Sequence, residues 1–272
     1  MLSCMMPGMT LNHVEIGAGT PVLALHGWTP DHHLMLGCLE PIFTARPGYR
    51  RLYPDLPGMG KSPAPPSIAS TDDVLAAVAS FVATTIGDEP FLLVGESYGG
   101  YLARGLTRLL GDQVRGLALV CPIGVNVEHA TRNVPPRQVL RPSPELLAGL
   151  DPEEAADFAE IAVVQTPETL RRFMAEIVVG LRAADPVAMA RIRENWVLST
   201  DPESGDPYSR PALIVTGRQD DAVGYVDQWA LLPHYPRATF AVLDVAGHNL
   251  QFEQPALFEA LMSDWLDRVQ EG

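Results

Sequence analysis

Gly95-Glu96-Ser97-Tyr98-Gly99-Gly100 is the stretch on which the reading of this chain turns. The apolar run Phe91-Leu92-Leu93-Val94 stands before it and reads as a buried strand. Behind it, Tyr101-Leu102-Ala103-Arg104-Gly105-Leu106 has helical periodicity. A serine between glycines at a strand-to-helix junction is the G-x-S-x-G pattern, the nucleophile elbow. The turn is so sharp that side chains beside the serine would collide with strand or helix, which is why glycine is needed there. The hydroxyl then stands proud of the sheet at the positive end of a helix, and the next N–H is free to meet an oxyanion. The plainer reading of Ser97 is a helix N-cap, and the surrounding glycines speak for the elbow.

Working outward, strands and helices alternate. Residues 10–16 suit an edge strand and 21–25 a buried strand ending at His26-Gly27-Trp28. A helix is expected over 35–44, a strand over 49–53, and a helix over 74–86 behind the capping cluster Ser70-Thr71-Asp72-Asp73. After the elbow comes a strand over 114–120. Alternation of this kind predicts an α/β fold with a mostly parallel, doubly wound sheet. The rhythm breaks after Ile123: no convincing strand occurs between Asn126 and Tyr208, and helical stretches over 152–164, 167–181 and 186–198 follow prolines. This reads as an inserted helical cap over 124–208, with the core formed by 1–123 and 209–272. The sheet resumes with a strand over 212–216, a helix over 226–232, a strand over 239–245 and a terminal helix over 255–269.

Composition narrows the function. A chain of 272 residues, 47% hydrophobic, can bury one large core. Its net charge of −14 supplies no basic stripe for nucleic acid and disfavours anionic lipid. Of the three cysteines, Cys4, Cys38 and Cys121, no two have C-x-x-C spacing, so neither a disulfide framework nor a zinc site is expected, and a cytoplasmic setting fits. The N-terminal stretch 1–8 lacks the basic and apolar regions of a signal peptide, and no apolar run reaches membrane-spanning length.

A serine hydroxyl needs a base, and the base needs a carboxylate to fix its tautomer. His248 follows the last strand through Ala246-Gly247, and Asp220 follows the strand over 212–216 through Gly217-Arg218-Gln219. Asp221 is adjacent and competes for the acid role; its spacing to Gly217 favours Asp220, with Asp221 facing solvent. His248 could instead be a surface-loop residue, and its place after the last strand favours a base. His26 is read as a structural brace for its loop. Glu96 is assigned no catalytic part. His32 and His33 are read as solvated, with no metal. Gly58-Met59-Gly60-Lys61-Ser62 echoes a phosphate loop, but Asp55 stands where the first glycine is needed and Pro63, Pro65 and Pro66 forbid the helix. That loop is expected to shape the rim of a pocket, and no nucleotide or other cofactor is expected.

With His26-Gly27-Trp28, the loop 55–62, the elbow, Gly217-Arg218-Gln219-Asp220 and Gly247-His248 in this order, the chain resembles the α/β-hydrolase fold family, in its serine-hydrolase branch with a helical cap. The resemblance spans 21–269. It implies that the backbone N–H groups of Trp28 and Tyr98 form the oxyanion hole, and that Ser97, Asp220 and His248 cleave a carboxylic ester of a small to medium, rather apolar molecule through an acyl-enzyme. The Trp28 and Tyr98 rings could equally be ordinary packing. Phe158, Phe173, Met174, Met189 and Trp196 are candidates for the pocket or, more simply, the cap's own core. The same triad could hydrolyse a C–C bond in a β-diketone-like substrate. Epoxide and dehalogenase chemistry in this fold uses an aspartate at the elbow, where this chain has Ser97. A non-catalytic ligand-binding module on the same fold is the alternative of a different class. No protein partner is indicated, and the oligomeric state is open.

Overall fold

The computed structural model describes residues 10–272; Cys4 and the stretch 1–8 read for a signal peptide lie outside the described residues. A seven-stranded sheet runs in the order β1-β3-β2-β4-β5-β6-β7, built from β1 (His13–Gly17), β2 (Thr20–Leu25), β3 (Tyr49–Pro54), β4 (Phe91–Glu96), β5 (Val114–Val120), β6 (Ala212–Gly217) and β7 (Ala238–Leu243). Only β1 pairs antiparallel, against β3; the other pairings are parallel. The expected α/β architecture with a mostly parallel sheet is therefore present. Strands β2, β4, β5 and β6 are almost wholly buried because helices cover both faces, which explains their unbroken apolar runs.

The crossover helices begin earlier than periodicity alone suggests, because caps set their starts. Helix α1 (His32–Thr44) opens at Asp31, whose carboxylate accepts from the His33 N–H. Helix α2 (Thr71–Thr85) opens at Ser70, whose hydroxyl accepts from the Asp73 N–H at 3.1 Å. Asp72 and Asp73 then sit in the first turn, where the helix's positive end favours acids. Helix α3 (Ser97–Leu110) leaves directly from the end of β4.

Between β5 and β6 the chain leaves the sheet and forms α4 (Pro144–Ala148), α5 (Pro152–Ile161), α6 (Pro167–Phe173), α7 (Val179–Ala183) and α8 (Pro186–Arg193). Proline opens α4, α5, α6 and α8, where its missing N–H costs nothing. The one β-type pairing there among the described residues is an isolated bridge, Arg141 to Val164. Helix α5 stops short of the expected 164 because the N–H groups of Val163 and Val164 are drawn to the Glu253 carboxylate at 2.7 and 3.2 Å. A π-helical turn, Met174–Val178, joins α6 to α7, which periodicity did not foretell. Phe158, Phe173 and Met189 are buried, and Phe158 packs on Phe173 with ring centres 5.5 Å apart. The fold closes with α9 (Val226–Trp229), α10 (Leu250–Glu253) and α11 (Pro255–Glu271). No described helix is long and apolar enough to cross a membrane, and Cys38 and Cys121 are buried and free.

One polar knot ties α3 to the segment that returns to β6. The buried Arg104 Nε donates to Glu203 Oε1 at 2.8 Å, its Nη1 donates to the Gly124 carbonyl at 3.2 Å, and the Tyr235 hydroxyl donates to the same Glu203 oxygen at 2.9 Å. Arg104→Met should strand a largely buried carboxylate and cost about 3–5 kcal/mol of stability. Urea unfolding measures this, and an unchanged midpoint would contradict it.

Candidate functional site

The end of β4 and the start of α3 hold Ser97 at φ 51°, in the left-handed region that non-glycine residues rarely adopt. The flanking glycines are sterically required. A Cβ on Gly95 would lie 2.4 Å from the Gly99 carbonyl oxygen, and one on Gly99 would lie 2.3 Å from the Leu25 oxygen of β2. Helix and strands thus approach so closely that any side chain would force them apart.

Two loops from the sheet's far half meet this serine. The His248 Nε2 lies 2.9 Å from Ser97 Oγ, and its Nδ1 lies 2.8 Å from Asp220 Oδ2. Asp220 is fully buried, and its other oxygen accepts from the N–H groups of Ala222 and Val223 at 2.9 and 3.0 Å. Those bonds aim the free oxygen at the imidazole. Gln219 couples the two loops: its side-chain oxygen accepts from the Ala246 N–H at 3.0 Å, while its own N–H donates to the Ala246 carbonyl at 2.9 Å. The structure therefore brings Ser97, His248 and Asp220 into one hydrogen-bonded chain. An imidazole so placed can take a proton from the hydroxyl and return it later.

The remaining candidates separate clearly. Asp221 does not face open solvent as expected: it is half-buried, lines the cleft and pairs with Arg137 at 3.7 Å. The His26 ring donates from Nδ1 to the Gly27 carbonyl and accepts at Nε2 from the Leu56 N–H, so both nitrogens are spent on backbone, and burial pushes its pKa down. The Tyr98 hydroxyl donates to Thr71 Oγ1 at 3.1 Å, away from Ser97. The Tyr98 backbone N–H belongs to the first turn of α3, whose donors have no partner within the helix. Trp28 sits on the cleft wall beside Ser97, its ring edge-on to Trp196 at 4.8 Å and to Tyr98 at 5.0 Å. None of residues 55–62, expected to shape the rim, lines the cleft around Ser97. The loop wraps the buried Asp55 carboxylate, which accepts from Asn12 Nδ2, His32 Nδ1 and the Lys61 N–H.

Two chambers open on Ser97. The larger, about 410 Å³, has an apolar wall of Leu34, Phe173, Ile177 and Leu181 and an acidic one of Asp157, Glu160 and Asp221. The smaller, about 220 Å³, is lined by Trp28, Trp196, Glu128, His129, Arg132 and Arg193. Asp31, His32 and His33 bring potential metal-ligand atoms within 4.8 Å of one another, as do Cys121, Asp220 and His248. The histidine Nδ1 atoms in both groups are already bonded to carboxylates.

Two buried acids were invisible as site residues. Glu96 lies 3.4 Å from His248 Nε2, and burial raises its pKa to about 7. Burial alone would lower the His248 pKa, but the Asp220 charge and hydrogen bond outweigh it and raise the value to about 9, with Glu96 adding to the rise. The sign for stability is the same for both. Folded Glu96 keeps a proton that an unfolded carboxyl releases near 4.5, and folded His248 keeps one that an unfolded imidazole releases near 6.5. Stability should therefore fall as pH rises through the window from about 4.5 to about 9. Glu96→Gln should flatten the slope in the acidic half, as urea titrations at several pH values would show; an unchanged slope would rule out the buried proton. Glu253, the second such acid, accepts from the Gly247 N–H at 2.6 Å as well as from Val163 and Val164. It thus joins the helical excursion to the loop that carries His248.

With this geometry in hand, the comparisons with known proteins are specific. The model of the alpha/beta hydrolase family matches residues 22–261. The 2-hydroxy-6-oxononadienedioate/2-hydroxy-6-oxononatrienedioate hydrolase of Paraburkholderia phymatum is 28% identical over 95% of this chain and 91% of its own. The 2-hydroxymuconate semialdehyde hydrolase of Pseudomonas sp. (strain CF600) is 26% identical, again over 95% and 91%. Among solved structures, an alpha/beta superfamily hydrolase from Oenococcus oeni PSU-1 superposes with a TM-score of 0.87 at 29% identity, covering 95% of this chain and 96% of that one. Sheet order, elbow and the match along 22–261 lead to one statement of kinship: this chain belongs to the alpha/beta hydrolase family.

Proposed function

We propose that the protein is a cofactor-free serine hydrolase that cleaves a carboxylic ester of a small to medium, largely apolar molecule. Ser97 attacks the carbonyl carbon while His248 takes its proton, and Asp220 holds the imidazole and stabilises its cationic form. The N–H groups of Trp28 and Tyr98 receive the oxyanion. His248 then protonates the leaving alcohol, and water releases the acid from Ser97 by the same route. Residues 124–208 act as a cap over a core of 1–123 and 209–272, and the apolar wall of Leu34, Phe173, Ile177 and Leu181 receives the substrate's hydrocarbon part. The observation that carries this reading is the chain of contacts from Ser97 Oγ through His248 to Asp220, at 2.9 and 2.8 Å.

A second reading has its own support. Two of the relatives are named as a 2-hydroxy-6-oxononadienedioate/2-hydroxy-6-oxononatrienedioate hydrolase and a 2-hydroxymuconate semialdehyde hydrolase, and an activated serine can also attack a ketone and expel a carbon leaving group. One experiment addresses both. The protein is treated with a fluorophosphonate probe, then assayed on aryl esters of graded acyl length beside a vinylogous β-diketone. An adduct on Ser97 with faster ester turnover supports the first reading, and faster C–C cleavage supports the second. Absence of an adduct would leave a ligand-binding module on a hydrolase fold.

A further inference from the structure

The smaller chamber differs from the larger one in charge, and the difference names a substrate. In the larger chamber a carboxylate would meet Asp157, Glu160 and Asp221. In the smaller it would meet two guanidiniums, with Glu128 the one acid among the lining residues; the His129 imidazole lines both chambers. We infer that the chamber bounded by Arg132, Arg193, Trp28 and Trp196 is a subsite for a carboxylate borne by the substrate. The substrate is then an anionic ester, such as the half-ester of a short dicarboxylic acid, with its hydrocarbon part in the larger chamber.

Neither arginine is committed elsewhere to an acid. Arg132 donates one bond from Nη1 to the Ala222 carbonyl at 3.1 Å and one from Nη2 to the Val127 carbonyl at 2.8 Å. Its Nε is buried with no partner. A guanidinium has five N–H donors, so most of this one's capacity is unused. The exposed Arg193 side chain, at the end of α8, makes no hydrogen bond or ion pair among the described residues. By contrast Arg104, Arg172 and Arg51 are each closed by a glutamate at 2.9 Å or less. The excess of acids over bases in the chain, 33 against 19, makes two guanidiniums without acid partners beside the nucleophile the more telling. Trp28 and Trp196 form one wall of the chamber, beside a half-buried Arg132 and an exposed Arg193. Partial burial with no ion-pair partner lowers the Arg132 pKa below its ordinary value, a penalty that a bound carboxylate would offset.

This inference rests on the hydrolase reading for its chemistry, and its test separates the two. Wild type is assayed on two isosteric pairs: monoethyl glutarate against ethyl 5-methylhexanoate, and acetoxyacetate against isobutyl acetate. The pairs place the carboxylate on the acyl or on the alcohol side. One pair should show a kcat/KM preference for the anion of about ten-fold to a hundred-fold, the span expected of charge-assisted hydrogen bonds. Arg193→Gln should bring that ratio towards one; Arg193 is the decisive position because Arg132 also braces the backbone. Equal rates within both pairs, or a ratio that survives Arg193→Gln, would overturn the subsite. If no ester is cleaved, calorimetry of the same two anions with Ser97→Ala decides the matter without turnover. Binding that weakens at least ten-fold in the Ser97→Ala, Arg193→Gln double variant upholds the subsite while the hydrolase reading fails. Absence of binding, or binding indifferent to Arg193, overturns the subsite.

Discussion

Ser97→Ala should lower kcat on an activated aryl ester by on the order of 10⁴-fold or more, with the fold intact. Removing Oγ deletes the atom that would form the acyl bond, and it leaves the His248 Nε2, 2.9 Å away, with no proton to accept. What survives is binding and any help from the oxyanion N–H groups. Alanine must still occupy φ 51°, so stability should change by no more than about 1–2 kcal/mol. Circular dichroism and a melting curve check the fold, and steady-state kinetics check the rate. A variant that retains most of its turnover removes Ser97 from the chemistry.

Asp220→Asn is expected to cost a similar factor, about 10⁴ in kcat, for a different reason. The carboxylate accepts from His248 Nδ1 at 2.8 Å, so that when the imidazole is neutral its one proton stays on Nδ1 and Nε2 is free to act as the base. An asparagine can turn its amide N–H toward Nδ1 and reverse the tautomer, leaving Nε2 protonated and unable to act as a base. The bonds from Ala222 and Val223 to the other oxygen can persist, so the geometry should survive. Asp221→Asn should lose less than about ten-fold, because that side chain pairs with Arg137 and does not touch the imidazole. Equal losses at the two positions would shift the acid's role to Asp221.

The features legible in the sequence are those written in local chemistry. The elbow glycines, the apolar strand cores and the places of Asp220 and His248 after β6 and β7 each need only a short window and the rules of the α/β layout. Helix starts were displaced because Asp31 and Ser70 compete as caps with the apolar pattern that marks the helix body. The end of α5 and the π-helical turn are tertiary effects: in the first, Glu253, some ninety residues away, claims N–H groups that a longer helix would have used. Glu96 and the arginines of the smaller chamber have no sequence signature, since a buried acid and an unpaired base are defined only by what folds around them.

The Glu253 carboxylate reaches in two directions at once, to Val163 and Val164 on one side and to Gly247 on the other. One side chain thus splices residues 163–164 to the loop that carries His248, so the position of the imidazole depends on a segment far from it in the chain.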